Sequence, residues 1–135
     1  MSKKYNLNAS SKFVVPDPNS ESSKLDKVMF YFGECHRKYQ LNGSKNQRLK
    51  VKILDTIHTC CQRTAMEFMN AKKKDEGGTE RIPIKQLCCK PPTAITPDLD
   101  KVISVRAGKS RIIGELTGNI FIVFFVDYEL KLYDH

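Results

Sequence analysis

Two strand-like runs near the end of the chain, Ser110–Leu116 and Ile120–Val126, are separated only by Thr117-Gly118-Asn119. They constrain the fold more than any other feature. The second run, IFIVFFV, is the most apolar stretch of the sequence, and β-branched and aromatic residues fill it. It predicts the central strand of an antiparallel sheet. Polar residues sit just outside this frame: Arg106, Lys109, Arg111, Asp127, Tyr128, Tyr133 and His135. A functional site is expected on it.

The rest of the chain is read outward from that sheet. Residues 1–22 are polar and form an arm, with Lys12–Val15 as a short first strand or a segment lying on the body. From residue 23 onward a single domain is expected. Ser23–Tyr39 reads as a helix, because Leu25, Val28, Met29, Phe32, Cys35 and Tyr39 recur at helical spacing. Leu41–Ser44 is a turn. A second, longer helix is expected from Ser44 or Lys45 to Lys73, with Leu49, Ile53, Ile57, Cys60, Cys61, Thr64, Ala65 and Phe68 as its apolar stripe. The short connection predicts an αα-hairpin over residues 25–73. Residues 75–99 form a loop-rich insert, in which Ile82–Cys89 is a strand demoted to an edge by Pro83. Residues 101–135 supply the sheet: Val102–Ala107, the two runs above, and Leu130–Tyr133 as a last short strand. Gly108-Lys109 and Gly118-Asn119 mark its hairpin turns. The fold class is α+β, with an αα-hairpin packed on a twisted four- to five-stranded antiparallel sheet.

Composition narrows the function classes. No apolar run approaches the roughly 20 residues that cross a bilayer, and MSKKYNLNASSKF lacks the apolar centre of a signal peptide. Five cysteines, four of them in the adjacent pairs Cys60-Cys61 and Cys88-Cys89, suit reduced thiols. A cytoplasmic protein without membrane contact is expected. The net charge of +8 is unevenly spread: residues 37–90 hold 13 Lys and Arg against five Asp and Glu, while the two flanks are nearly neutral. A basic middle suggests a polyanion or an acidic protein partner. It is equally the pattern of a solvated helix face and a lysine-rich loop.

Three constellations carry possible chemistry. Ala107-Gly-Lys-Ser110 imitates the end of a phosphate-binding loop, but Ile103 stands where the first glycine belongs and a strand follows, so no nucleotide cofactor is expected. Cys35, His36, His58, Cys60, Cys61, Cys88 and Cys89 lack the C-x-x-C or H-x-x-x-H spacing of a zinc site. A zinc-stabilised adaptor remains a minor alternative. The third set is Arg106, Lys109, Arg111, Asp127, Tyr128, Tyr133 and His135. Cations on neighbouring strands can hold a phosphodiester and stabilise charge developing on phosphorus. A Tyr or His beside them can move a proton to or from a ribose hydroxyl or the leaving oxygen. The plain alternative is a polar sheet face with an ordinary polar tail.

An arginine-led strand, a tight turn, a very apolar strand and a short polar tail, KVISVRAGKSRIIGELTGNIFIVFFVDYELKLYDH, together with a basic second helix upstream, resemble the RelE/ParE toxin superfamily. The resemblance covers residues 25–70 and 100–135 and rests on pattern. It implies a helical hairpin on a sheet, metal-independent endoribonuclease activity on mRNA at the ribosome in the RelE branch, and a small antitoxin as partner. It implies that Arg106 and Arg111 bind phosphate and that Tyr133 or His135 transfers the proton. Lys50, Lys52, Lys72, Lys73, Lys74 and Lys109 would then contact RNA, and no cofactor would be needed. Asp127 and Glu129 stand where further basic residues would be expected, and an acid there repels phosphate. The alternative function is a non-catalytic basic module that binds nucleic acid or an acidic protein.

Overall fold

The computed structural model describes residues 24–92 and 98–134. The elements are β1 (Met29–Tyr31), α1 (Gln47–Cys61), α2 (Ala65–Met69), β2 (Thr79–Pro83), a 3-10 turn at Ile84–Gln86, β3 (Lys101–Ala107), β4 (Ser110–Thr117) and β5 (Ile120–Asp127). The fold is α+β. Among the described residues, five strands form one sheet in the order β1-β5-β4-β3-β2. Lys12–Val15 and His135 lie outside the described residues.

The C-terminal hairpins form as their turn residues dictate. Gly108 and Gly118 have φ of +60° and +62° at the first central position of their two-residue turns, where a side chain would be strained. Ala107 then pairs with Ser110, and Thr117 with Ile120. Every residue of β5 is buried. Its pairing with β4 carries a β-bulge. Ile113 pairs with Phe125 and Gly114 with Val123, so Phe124 is inserted between them. A Cβ on Gly114 would stand 2.0 Å from the Ile122 carbonyl oxygen, so only glycine fits beside the bulge.

The expected first helix is the main correction. Residues 29–31 are instead a strand running parallel to β5, with Met29 opposite Ile120 and Tyr31 opposite Ile122. The sheet is therefore mixed, and the two helices, α1 and the five-residue α2, both fall within the second arm of the expected αα-hairpin. The reason is the far edge of β5, whose buried backbone groups need partners. Residues 29–31 satisfy its first half. Past a turn at Gly33, His36 N donates to Phe124 O at 2.7 Å and Val126 N donates to Tyr39 O at 2.7 Å. Phe30 then packs on Phe121 and Phe68, with ring centroids 5.2 and 6.3 Å apart. One strand-like residue in two (Val28, Phe30, Phe32) outweighs the helical spacing of the same segment.

The second helix is also shorter than expected. Asn46 caps α1 by accepting from the Arg48 and Leu49 amides at 3.0 and 3.3 Å. The helix stops at Cys61, and Thr64 opens α2 with a capping box. The Thr64 hydroxyl accepts from Glu67 N at 3.2 Å, and the Glu67 carboxylate accepts from Thr64 N at 2.9 Å. The break at 62–64 lets the chain meet the β1 approach, where Val28 N donates to Arg63 O at 2.9 Å. Within the insert, the strand is Thr79–Pro83, earlier than Ile82–Cys89, and Pro83 ends it. Leu130–Tyr133 forms no strand; it turns back onto the sheet.

Both sheet faces are covered. Ile53 and Cys60 of α1, with Phe68 of α2, pack on Val105, Ile112, Phe121 and Val123. On the opposite side Val102, Ile113, Ile122 and Phe125 meet Leu132 and Tyr133 of the tail.

Candidate phosphate-binding site

Residues directly opposite in an antiparallel ladder share a face. Arg106 on β3 faces Arg111 on β4, Ser104 faces Ile113, and Glu80 on β2 faces Ser104. This row lies on the side away from the helices, at the sheet end beside the Gly108-Lys109 turn. Lys73, Gly78, Glu80, Ser104, Arg106 and Arg111 line one small hollow of about 30 Å³ there.

Two like charges in register repel, by roughly 0.2–1 kcal/mol at such a position. The structure offsets that only in part. Arg111 Nη1 donates to the carbonyls of Gly108 and Ser110 at 3.0 and 2.8 Å. Arg106 Nε is 4.0 Å from Glu76 Oε1, is shielded from solvent, and has no hydrogen-bond partner among the described residues. Glu76 is occupied elsewhere: its carboxylate accepts from Gly108 N at 2.8 Å and lies 3.5 Å from Lys52 Nζ. Lys73 pairs with Glu80 at 2.7 Å. Four cations, Lys52, Lys73, Arg106 and Arg111, thus stand with three carboxylates, Glu76, Glu80 and Asp127, the last in register with Arg111. The local excess of positive charge is suited to an anion.

The remaining candidates fall in different places. Tyr133 is buried, 5% exposed, and its hydroxyl lies 2.7 Å from Ser104 Oγ. Burial raises the phenol above its ordinary value near 10, opposed by the Ser104 hydrogen bond and by Arg111. Lys52 leans over Gly108, and its ion pair with Glu76 ties it to the arginines. Lys72 and Lys74 are exposed on the loop before β2. Lys109 lines a separate hollow with Arg48 and Asn46 on the other side of the turn. Lys50 borders an apolar groove with Phe32, Leu41 and Leu54. The structure therefore gathers Lys73, Arg106 and Arg111, with Lys52 adjacent, and leaves Lys50 and Lys109 apart.

Glu80 and Ser104, which line the hollow, and Glu76, which neighbours Arg106, are the residues that sequence reasoning missed. The period-2 pattern of VISVRA could have found Ser104, which shares the face of Arg106. Asp127 stands opposite Arg111 in the β4–β5 ladder and so shares the arginine face, but its carboxylate is engaged by the tail. It is 1% exposed, and its carboxylate accepts from the Lys131 and Leu132 amides at 3.1 and 2.8 Å.

The thiols do not assemble. Burial pushes Cys35 and Cys60 up to about 11, away from thiolate chemistry at neutral pH. Among the described residues, no three of His, Cys, Asp and Glu stand together so as to hold a metal ion. No helix there is long and apolar enough to cross a membrane. Comparison of the chain with protein-family models, with curated proteins and with solved structures finds no match.

Proposed function

We propose that this chain is a RelE-like toxin, a metal-independent endoribonuclease that grips the RNA backbone with Arg106 and Arg111. One observation carries the reading: two arginines held face to face across β3 and β4, with the shielded Arg106 Nε lacking a hydrogen-bond partner. A phosphodiester would relieve their repulsion and accept from both guanidinium groups. Glu80, across from Ser104 in the same hollow, is the group placed to take the ribose 2′-OH proton. The 2′ oxygen then bonds to phosphorus, the bond to the 5′ oxygen breaks, and that oxygen takes up a proton from solvent. The arginines neutralise the extra charge on phosphorus during the exchange. Lys52, Lys72 and Lys74 extend the cationic surface for the flanking RNA. The RelE-like reading also brings a cytoplasmic setting, the ribosome as the place of action and an antitoxin as the neutralising partner.

Expression of the wild-type chain should arrest growth, and Arg106→Ala, Arg111→Ala and Glu80→Gln should each restore it. Purified protein should cleave RNA to a 2′,3′-cyclic phosphate end, with a loss on the order of 10²-fold or more in Glu80→Gln. Unaltered toxicity in both arginine variants would sink the assignment. The burial of Tyr133 favours a second reading, a basic module that binds RNA without cutting it. In that case Glu80→Gln would change nothing, while affinity would fall steeply with salt as counterions are released.

A further inference from the structure

We infer that the C-terminal tail is a latch over the arginine hollow, closed in this structure, and that its lifting makes room for a phosphate group. The inference rests on reading that hollow as the RNA site. Its volume of about 30 Å³ has space for a water or two and too little for a phosphodiester. Ser104 forms part of its lining, and the hydroxyl of Tyr133, on the tail, lies 2.7 Å from Ser104 Oγ.

Three further fastenings hold the tail down. The Asp127 carboxylate accepts from the Lys131 and Leu132 amides at 3.1 and 2.8 Å. Leu132 O accepts from Cys88 N at 2.7 Å, and the Leu132 side chain is fully buried. Against these works a strained link. Leu130 has φ of +57°, the left-handed region that L residues other than Asn and Asp avoid, and it lies between the Asp127 anchor and Tyr133. Lifting the tail frees that residue. The latch is thus closed by hydrogen bonds and apolar burial and opposed by the backbone strain at Leu130.

The test uses the full chain and a short single-stranded oligoribonucleotide with a 2′-O-methyl backbone, which cannot be cleaved. Tyr133→Phe keeps the ring and removes the hydroxyl. It should raise affinity about five-fold, the factor that one ordinary hydrogen bond is worth. Leu130→Asn, which tolerates the left-handed conformation, should weaken binding by a similar factor. Amide exchange at Lys131 and Leu132 in ligand-free protein should quicken in Tyr133→Phe and slow in Leu130→Asn. Unchanged exchange in both variants overturns the latch whatever the ligand does. Unchanged affinity in both, with binding abolished in Arg106→Ala, overturns the latch as a control on the site and leaves the RNA reading standing. Wild-type affinity in the Arg106→Ala and Arg111→Ala double variant overturns the RNA reading, and the exchange rates then decide the latch by themselves.

Discussion

The two faces of the sheet come from alternate residues of the same strands, yet they are finished in different materials. The helix side is apolar, with Val105, Ile112, Phe121 and Val123 under α1 and α2. The opposite side is apolar only away from the Gly108-Lys109 turn. Toward the turn it becomes polar, through Ser104, Arg106, Arg111, Asp127 and Tyr133. Its cover is a loop and a tail instead of a helix. One face specifies the fold. The other combines partial packing with unbalanced charge, and such inconsistency between local rules marks a functional site more than an average surface.

Substitutions can break that division. Phe121→Ala on the helix side should cost about 3–5 kcal/mol in denaturant unfolding, because it removes a fully buried ring packed at a tilt against Phe30 and Phe68. Next comes an alkaline effect on the same face. The Cys60 thiol is raised from 9.0 to about 11. A group raised in the fold lends its full stability below the unfolded value and loses it as pH climbs through the folded one. Stability should therefore fall between pH 9 and 11, by about 2–3 kcal/mol from this residue. In Cys60→Val, unfolding measured at pH 8 and 10.5 should show the smaller difference. On the other face, Asp127→Ala should cost about 2 kcal/mol by leaving two tail amides unpaired. Smallest of all, Arg106→Ala should change stability by no more than about 0.5 kcal/mol while removing RNA binding. A cost like that of Phe121 would make Arg106 part of the scaffold and erase the contrast.

The parts legible in the sequence were those whose cause is local. Glycines at the two hairpin tips and the alternating apolar runs around them set β3, β4 and β5. Asn46 and the stripe after it set α1. The break before α2 was legible too, since Thr64-x-x-Glu67 is a capping box inside the supposed long helix. β1 was not. Its residues carry helical and alternating periods at once, and only the far edge of β5 decides between them. Of the site, the Arg106–Arg111 pairing follows from the turn between them. The Glu80 contribution depends on how β2 aligns with β3 across the insert, and nothing local gives that register. The sequence places Tyr133 in a short polar tail, as a last short strand, and does not show it buried. Its burial follows from Asp127 turning the tail back onto the sheet.

The parallel pairing of β1 with β5 has a consequence for how the chain is made. Met29 waits for Ile120, a residue synthesised about ninety positions later. At translation rates of about 5–20 residues per second, the β1 segment stands exposed for several seconds. During that interval its helical period has no competitor. The first structure it samples on the ribosome should be a helix, exchanged for a strand only when the last hairpin emerges.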